Sequence, residues 1–380
     1  MTNNEKSLEL HRKKGGKIEI KSKFKIKDKI DLSLAYTPCV AEVSRRIAEN
    51  KDLAKVYTIK KNTVAIVSDG SAVLGLGNVG AEAAIPVMEG KAAIFKIFAN
   101  IDAFPICLKT QNPDEIISIV RNISPVFGGI QLEDIAAPNC FYIEDKLQNI
   151  GIPVAHDDQH STAIVAIAAL INAAKAAKKN IESLKVVLAG AGAAGTAIAS
   201  MLSKELKLKD IIVCDSCGII CKNRKDLNSA KMKLAEITNK NNENGTLEDA
   251  LSGADVFIGV SVAGLLKPEM IKKMNDKPII FALANPIPEI MPDLAKKAGA
   301  FIVGTGRSDF PNQINNALSF PGLFRGLLDS GALKLTDKMK MAAALAIANR
   351  IKNPTPAKIL PAIFDKKLVK SIASSIKASN

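Results

Sequence analysis

The chain has 380 residues, of which 47% are hydrophobic, and carries a formal net charge of +14. This length exceeds the roughly 250–300 residues at which one hydrophobic core stops growing, so two domains are expected. No apolar run approaches the roughly 18 residues that span a bilayer, which argues against a membrane partner. The positive charge would suit nucleic acid or a small anionic substrate, but the lysines are scattered and Trp is absent, so we expect no nucleic-acid partner.

The cysteines and the N-terminus bear on the location of the protein. The six cysteines show no paired framework of spacings, which indicates reduced thiols. The first residues contain no apolar segment of secretory type. We therefore expect a cytoplasmic protein.

In chain order, the first predicted elements are a strand and a helix. Lysine alternates with apolar or small residues over 17–29, which is the period of a strand with one solvated face. Thr37 as cap and Pro38 at the first helical position then predict a helix within residues 31–60. Tyr36 would lie just outside the N-terminus of that helix.

From residue 62 onward, apolar strand-like runs alternate with helical runs. Strands are predicted to begin near residues 62, 102, 128, 152, 185, 210, 254, 278 and 300. A long helix is expected from about Pro311, followed by a helical tail over 332–380. Strands and helices that take turns with short connections predict an α/β fold with a mostly parallel sheet covered by helices.

The motif G-x-G-x-x-G occurs twice, and its surroundings distinguish the two copies. The second copy follows an apolar strand and opens an unbroken helix, as a dinucleotide fingerprint requires. Its loop residues are Gly190, Gly192, Ala193, Ala194 and Gly195. Asp215 ends the next strand, where an acid can hold the ribose hydroxyls. The first copy, over 75–80, is followed by Pro86, which we expect to break its helix early. The cofactor is therefore placed at the second copy.

Four carboxylates follow two neighbouring predicted strands. Glu133 and Asp134 end one strand, and Asp157 and Asp158 end the next. If these strands are parallel neighbours, the acids gather at the edge where open α/β sheets bind ligands, and a hard cation such as Mg²⁺ or Mn²⁺ would relieve their repulsion. The residues alone also allow Glu133 and Asp134 to be surface acids and Asp157 and Asp158 to be caps for a helix that starts near Ser161.

Other candidate groups are ambiguous from the residues alone. His156 and His160 are close to the spacing of a zinc protease motif, but the strand that ends before His156 argues against a helix over the pair. The cysteines within 214–221 lack a fourth ligand nearby. Lys91 precedes an apolar stretch, so it could be a buried base with a lowered pKa or an ordinary salt-bridged lysine.

Taken together, these segments are similar to the malic enzymes of the shorter bacterial type, over about residues 17 to 325. The matching segments, in family order, are DLSLAYTPCVAE, VLGLGNVGAEAAIPVMEGKA, IDAFPICLKTQNPDEI, FGGIQLEDIAAP, IPVAHDDQHSTA, GAGAAG, FALANPIPE and GRSDFPNQINNALSFPG. The resemblance implies an N-terminal α/β substrate domain over 1–160 and a Rossmann-type, doubly wound dinucleotide-binding domain over 161–380. It assigns the first glycine loop to the substrate domain, which leaves one nucleotide site.

The resemblance also implies a reaction and roles for residues. The reaction would be oxidative decarboxylation of malate to pyruvate and CO₂ with reduction of NAD⁺ or NADP⁺, carried out by a homodimer. Tyr36 would be the general acid that protonates the enolpyruvate carbon, and Lys91 the base that takes the hydroxyl proton. The implied ligands of Mg²⁺ or Mn²⁺ are Glu133, Asp134 and Asp158, with Asp157 as a catalytic neighbour. Substrate or nicotinamide contacts are implied for Asn285 and for Asn315 or Asn316.

The chain departs from the family pattern at two positions beside these residues. Cys39 and Ser161 stand where the family usually has glycine, which could reduce activity or change the specificity for malate. The sequence also ends without the phosphotransacetylase-like domain of larger bacterial relatives, so regulation through such a domain is not expected.

Cofactor choice and overall function keep alternatives at this stage. Asp215 argues for NAD because its charge repels a ribose 2′-phosphate, yet Lys222, Arg224 or Lys225 could receive that phosphate, so NADP is possible. One alternative function is another NAD-dependent hydroxy-acid or amino-acid dehydrogenase. A second is a catalytically silent protein that binds nucleotide or RNA.

Overall fold

Two β-sheets, each flanked by helices, form the frame of the molecule. The computed structural model describes residues 2–73 and 75–380. The first sheet contains β1 (Thr63–Ser68), β2 (Asp102–Cys107), β3 (Gly129–Leu132) and β4 (Val154–His156). Their order is β2-β1-β3-β4 with parallel pairing throughout. All six residues of β1 are buried, as expected for an apolar parallel strand that is covered on both faces.

The second sheet has six strands and reverses its strand order at its centre. Its strands are β5 (Lys185–Ala189), β6 (Asp210–Asp215), β7 (Gly218–Ile219), β8 (Val256–Gly259), β9 (Ile279–Ala282) and β10 (Ile302–Thr305). The order is β10-β9-β8-β5-β6-β7, and only β7 pairs in the antiparallel direction. Because β5 lies between β6 and β8, the loop after β5 is at the switch point where doubly wound sheets bind ligands. The predicted α/β class is confirmed.

The N-terminal arm, which we define as residues 2–62, lies outside both sheets. Its helices are α1 (Asn3–Lys14), α2 (Lys29–Ala35), α3 (Val40–Glu49) and α4 (Ala54–Tyr57), and none of the four contains a buried residue. The strand predicted over 17–29 is wrong, because these residues pair with no strand and are exposed. The predicted cap at Thr37 is also wrong, because Asp28 caps the earlier helix α2 and the next helix begins only at Val40.

Helix α5 (Gly80–Ala99) follows the first glycine loop and runs through Pro86 for 20 residues. The prediction that Pro86 breaks this helix is wrong. A proline inside a helix removes one hydrogen bond and costs about 3 kcal/mol. The helix buries an apolar face that includes Met88, Ala92 and Phe95, and this burial offsets the cost.

The remaining helices cover the two sheets. They are α6 (Pro113–Ile123), α7 (Asn139–Leu147), α8 (Asp157–Ala177), α9 (Ala193–Glu205), α10 (Ser229–Ile237), α11 (Leu247–Leu251), α12 (Pro268–Ile271), α13 (Pro292–Lys297), α14 (Phe320–Ser330), α15 (Asp337–Ala348) and α16 (Leu368–Ser379). The helix predicted from Pro311 begins only at Phe320, after a loop and one short 3₁₀ turn. The helix predicted from Ser161 begins earlier, at Asp157.

Helix α8 and the C-terminal helices form the centre of the core. Among the described residues, α8 is the one helix that is long and apolar enough to cross a membrane, but 78% of its apolar window is buried inside the protein. Phe320 and Phe324 of α14 pack against Phe95 of α5 in tilted and edge-to-face contacts, with ring centroids 4.8 and 5.6 Å from that of Phe95. The C-terminal part of the chain therefore packs directly on a helix of the first sheet, which fixes the relation between the two sheets.

Candidate active site

A cleft of about 330 Å³ lies between the two sheets. Its first wall comes from the carboxyl ends of β3 and β4 and from α5, and it carries Glu133, Asp158 and Lys91. The loops that follow β8, β9 and β10 form the second wall, and these include Asn285. The carboxyl ends of both parallel sheets thus face one space, as open α/β sheets require of a ligand site.

Because β3 and β4 pair in parallel, Glu133, Asp134 and Asp158 line this cleft, and the fourth predicted acid, Asp157, contacts Lys91 there. Leu132 pairs with His156, so Glu133 and Asp157 follow directly beyond two paired residues. Asp134 adopts φ of 52°, and its backbone N–H donates to Asp158 Oδ2 at 3.0 Å. This local turn brings the two carboxyl-bearing segments together.

Three of these acids form a group that fits a metal ion. Glu133, Asp134 and Asp158 each offer an oxygen, and these oxygens lie within 4.8 Å of one another. That spacing is compatible with one Mg²⁺ or Mn²⁺ bound between the three oxygens, because Mg²⁺ lies about 2.0–2.1 Å from each of its oxygen ligands. Within residues 2–73 and 75–380, no other set of three His, Cys, Asp or Glu side chains is spaced this closely.

Lys91 of α5 reaches into the cleft and joins the acids. Its Nζ lies 2.8 Å from Glu133 Oε1 and 2.5 Å from Asp157 Oδ2, and its side chain is only 12% exposed. It also lies over the ring of Phe320, 5.0 Å from the centroid. Asn316 Nδ2 donates to the same Asp157 oxygen at 2.6 Å. Asp157 therefore positions Lys91 and Asn316 relative to each other.

Negative charge exceeds positive charge in the cleft, and the pKa shifts follow from that excess. Burial by itself would lower the pKa of Lys91, but the neighbouring carboxylates, first that of Asp157, outweigh burial and raise it. Burial and the surrounding carboxylates raise the pKa of Glu133 well above its usual value, although Lys91 opposes this shift. Both directions are those of a site with surplus carboxylates, which a further cation would stabilise.

The two glycine loops have different surroundings. In the second loop, a Cβ added to Gly195 would lie 1.8 Å from the carbonyl oxygen of Gly190, whereas a Cβ on Gly192 would meet nothing within 4 Å. One glycine thus allows helix α9 to pack closely, and another leaves its backbone open to a ligand, as a dinucleotide loop requires. Ala193 and Ala194 form the first turn of α9. In the first loop, a Cβ on Gly75 would lie 1.8 Å from the carbonyl oxygen of Asn285, so this loop packs against protein.

Asp215 ends β6 and lies within a cluster of charged groups. Arg224 donates to both of its oxygens, at 2.8 and 3.1 Å, and Lys231 donates to Oδ2 at 2.6 Å. Burial would raise the pKa of Asp215, but these two cations outweigh burial and lower it. Asp215, Lys231, Gly190 and Gly192 line a further cavity of about 360 Å³.

The structure does not bring Tyr36 to the cleft. Tyr36 ends α2 on the N-terminal arm and is 64% exposed. Cys39 is exposed on the same arm, with Sγ 3.5 Å from Ser33 Oγ. Ser161, the other departure from the family pattern, is buried in the second turn of α8.

The predicted substrate asparagines are at the cleft. Asn285, Asn315 and Asn316 all line it. Asn315 also caps the short 3₁₀ turn through a bond from the backbone N–H of Ala317 to its Oδ1, at 2.9 Å. His160, by contrast, serves another partner, because its Nε2 lies 2.6 Å from Glu144 Oε1. The ring of buried His156 lies beside the acids, with Nε2 3.4 Å from Asp158 Oδ2.

Sequence reasoning missed two residues that shape the site. Buried Glu289 accepts hydrogen bonds from the backbone N–H groups of Ser261 (2.8 Å) and Ala284 (3.0 Å), and so joins the loops after β8 and β9. Burial raises the pKa of Glu289. Lys231 was missed because it lies 16 residues beyond Asp215, on α10. An acid within the proline-rich segment NPIPE was the available signal for Glu289.

Comparison with protein families finds two matching models. The model described as malic enzyme, N-terminal domain, matches residues 15–148, and the model described as malic enzyme, NAD binding domain, matches residues 159–378. The second glycine loop lies within the second of these matches.

Individual relatives agree with the family models. A bifunctional malic/malolactic enzyme of Bacillus subtilis is 52% identical, with 99% of this chain and 92% of the relative aligned. An NADP-dependent malic enzyme of Salmonella typhimurium is 44% identical over 95% of this chain, which spans only 50% of that relative. The crystal structure of an NAD-dependent malic enzyme from Thermotoga maritima matches with a TM-score of 0.95 and 51% identity, covering 98% of this chain and 99% of that one.

Proposed function

Because this chain belongs to the malic enzyme family, we infer that it is an oxidoreductase that converts L-malate to pyruvate and CO₂ while reducing NAD⁺ or NADP⁺. The observation that carries this function is the cleft in which Lys91 and the carboxylates of the first sheet face the nucleotide loop of the second. Hydride transfer requires the substrate and the nicotinamide to lie next to each other, and this cleft provides space for both.

We propose that Glu133, Asp134 and Asp158 hold Mg²⁺ or Mn²⁺. The spacing of their oxygens and the surplus of negative charge around Lys91 support this assignment. When bound, such an ion supplies a Lewis acid that polarises the substrate oxygens and stabilises developing negative charge. Neutralisation of these carboxylates would also lower the pKa of Lys91, as a lysine that accepts a proton requires.

Lys91 is assigned as the base that accepts the hydroxyl proton of malate. Asp157 and Asn316 orient it, since Asp157 Oδ2 bonds both side chains. Asn285 and Asn315 line the opposite wall and are placed to contact substrate or nicotinamide. After loss of CO₂, a second group must return a proton to the product carbon, so that the proton removed from oxygen is balanced by the one added to carbon.

We propose that Tyr36 supplies this proton, and that it enters the cleft of a second copy in a homodimer. Lys60 Nζ donates to the carbonyl of Phe127 at 2.8 Å, so the end of the arm is fixed beside the start of β3. The cleft lies at the opposite, carboxyl ends of the strands. The six residues of β1 separate these two edges by about 20 Å, at about 3.3 Å per residue.

The exposed apolar surface of the arm supports association with a second copy of this chain. Exposed large apolar side chains are concentrated on it: Leu8, Leu10, Ile18, Ile20, Phe24, Ile26, Ile30, Leu32, Leu34, Tyr36, Val43, Val56, Tyr57 and Ile59. A soluble protein rarely leaves such a surface uncovered. A twofold homodimer covers the two arms and delivers each tyrosine in the same contact.

The division of labour follows the two domains. Residues 1–160 are assigned to the substrate domain, which carries the acids and Lys91, and residues 161–380 to the dinucleotide domain.

All six cysteines are free thiols, namely Cys39, Cys107, Cys140, Cys214, Cys217 and Cys221. Free thiols are typical of a reducing compartment, which supports a cytoplasmic location.

The function is tested by nicotinamide absorbance with L-malate, Mn²⁺ and each cofactor, followed by a pyruvate assay. We expect reduced cofactor and pyruvate in equal amounts, and no turnover with a chelator. Glu133→Gln should show the same loss in the presence of Mn²⁺, whereas Glu82→Gln, at an exposed position on α5, should retain full activity. Turnover that survives the chelator without release of CO₂ would indicate a different dehydrogenase.

A further inference from the structure

Residues 312–319, which we call the asparagine loop, follow β10 and carry two of the asparagines that line the cleft. Backbone bonds attach the start of this loop to the strand. The N–H of Thr305 donates to the carbonyl of Asn312 (3.3 Å), and the N–H of Ile314 donates to the carbonyl of Thr305 (2.7 Å). The cleft asparagines lie just beyond this attachment, so their position depends on what holds the start of the loop.

Buried Asn312 joins the asparagine loop to a C-terminal segment, residues 355–361, which we call the strap. Its Nδ2 donates to the carbonyls of Val303 in β10 (3.1 Å) and of Pro356 in the strap (2.8 Å), and its Oδ1 accepts from the backbone N–H of Ile359 (3.0 Å). The backbone of Asn312 has φ of 56°, a conformation that asparagine adopts more readily than most residues. This one side chain thus bridges the strand, the loop and the strap.

The strap is itself anchored to the core. Ile359 is fully buried, and its carbonyl accepts from Nδ2 of Asn172, a buried residue of α8, at 2.9 Å. The same Nδ2 also donates to the carbonyl of Ala348, at 2.9 Å. The two residues of the strap that follow Ile359 are buried as well. The strap is therefore a fixed support, and Asn312 connects the loop to it.

Side-chain packing is incomplete between the asparagine loop and the strap. A cavity of about 220 Å³ lies between them, lined by Leu318 of the loop and by Leu360 and Pro361 of the strap. Where side chains do not meet, van der Waals contacts do not resist a shift of the loop. Such a shift would move Asn316, which donates to Asp157 Oδ2 at 2.6 Å in the cleft. The hydrogen bonds of the bridging asparagine oppose this shift.

We propose that Asn312 is a positioning residue for the reaction, because it holds Asn315 and Asn316 at the geometry that the cleft requires. Asn312 lines the cavity behind the loop and acts on the cleft only through these two residues. This inference rests on the proposed malate reaction. Misplacement of a group by about 1 Å costs up to about 10²-fold in rate. The glycine loop for the nucleotide follows β5 instead, so we expect nucleotide binding to be independent of Asn312.

The test compares Asn312→Gly with Asn172→Ala. Asn312→Gly removes the three side-chain bonds and still allows the positive φ. Asn172→Ala removes two buried bonds, one of them to the same strap, but lies about 22 Å along α8 from Asp157, at about 1.5 Å per residue. Both variants should lower Tm, so a loss of stability alone does not distinguish them.

The kinetics should separate the two variants well below both Tm values. We expect Asn312→Gly to lower kcat/KM for L-malate by about 10- to 100-fold, and to leave the Kd of NADH, measured by fluorescence, unchanged. Asn172→Ala should keep kcat/KM within about 3-fold of the wild type. Asn312→Asp is a second variant, because it keeps an acceptor for the N–H of Ile359 and also adopts positive φ. It should lower kcat/KM in the same direction if the glycine variant does not fold.

Hydrogen exchange gives a measurement that does not depend on turnover. Amides of 313–319 should exchange at least about 10-fold faster in Asn312→Gly than in Asn172→Ala. The inference is overturned if exchange in this loop is equal in the two variants, or if Asn312→Gly loses no more kcat/KM than Asn172→Ala. A wild-type protein without malate turnover would refute the proposed reaction, and hydrogen exchange would still decide whether Asn312 holds the loop.

Discussion

The carboxylate cleft and the N-terminal arm are opposite in construction. In the cleft, Glu133 and Asp157 are buried, and both bond to Lys91, whose side chain is only 12% exposed, within a single copy. On the arm, no helix buries a residue, and Tyr36 is 64% exposed. The difference teaches that one copy preorganises the proposed base and the proposed cation ligands, while the proposed proton donor requires the second copy that we infer.

The largest effect is expected from Lys91→Met, which removes the proposed base from the preformed region. We expect kcat/KM to fall by about 10³–10⁴-fold, at the upper end for general-base catalysis, when measured by nicotinamide absorbance. Lys17→Met is the control, because Lys17 is an exposed lysine that bonds the carbonyl of Pro86 on the same helix. A Lys91→Met enzyme within about 10-fold of the wild type would remove Lys91 from the mechanism.

Tyr36→Phe should have the next largest effect, and it should lower kcat without lowering the stability of the fold. Loss of a general acid is expected to lower kcat by about 10²–10³-fold. Because Tyr36 is exposed within one copy and the ring is retained, Tm should stay unchanged. Tyr57→Phe, at an exposed tyrosine of the same arm, should keep normal kcat. Equal activity of the two variants would place the proton donor elsewhere.

A charged residue on the exposed apolar surface of the arm should weaken the proposed homodimer. Ile20 is 89% exposed, and Ile20→Asp is expected to weaken self-association by about 10-fold or more, since burial of one isoleucine contributes about 1.5–3 kcal/mol. Light scattering after gel filtration measures this shift, and activity should fall with it. Ile97→Asp, at a 73% exposed isoleucine outside the arm, should leave the assembly intact. Unchanged mass for Ile20→Asp would contradict the homodimer through the arm.

The smallest expected effect is on stability toward acid, and it compares Asp337 of α15 with a residue of the arm. Bonds from Lys204 and Lys340 outweigh burial and lower the pKa of Asp337 from 3.8 to about 2. A depressed carboxylate pKa stabilises the fold above pH 3.8, and the contribution is lost as the pH falls toward 2. After allowance for solvent screening, Asp337→Asn should cost about 0.5–1 kcal/mol, or about 1–2 °C in Tm, at pH 7.

The matched variant for this prediction is on the arm. The pKa of Glu42 is also lowered to about 2 by bonds from Arg45 and Arg46, but Glu42 is exposed in one copy, whereas Asp337 is partly buried. We expect no change in Tm from Glu42→Gln. A Tm loss for Asp337→Asn that persists undiminished at pH 2 would show that ionisation of Asp337 is not its cause.

Sequence reasoning succeeded where chemistry and strand order coincide. The sequence was enough to predict that Glu133 and Asp158 lie close together, because acids that end parallel neighbouring strands share one edge of the sheet. The helix after the second glycine loop and the acid at Asp215 followed from the same rule. Local periodicity and the order of elements contain this information.

It failed where distant contacts decide the local structure. Pro86 continues a helix because tertiary burial of α5 outweighs a local penalty. The alternating lysines of 17–29 form no strand, since strand pairing requires a neighbour that the pattern does not specify. Lys231 reaches Asp215 from a helix 16 residues away, which no motif spacing signals.

The most direct test of the account mixes two inactive proteins, Tyr36→Phe and Lys91→Met, under conditions that exchange subunits. If each cleft takes its tyrosine from the partner, a mixed dimer has one cleft with both Lys91 and Tyr36. Random pairing then restores about a quarter of the wild-type activity, because half of the dimers are mixed and each has one complete cleft. If Tyr36 serves its own copy, every cleft lacks one group, and a mixture that stays inactive despite proven subunit exchange would contradict the account.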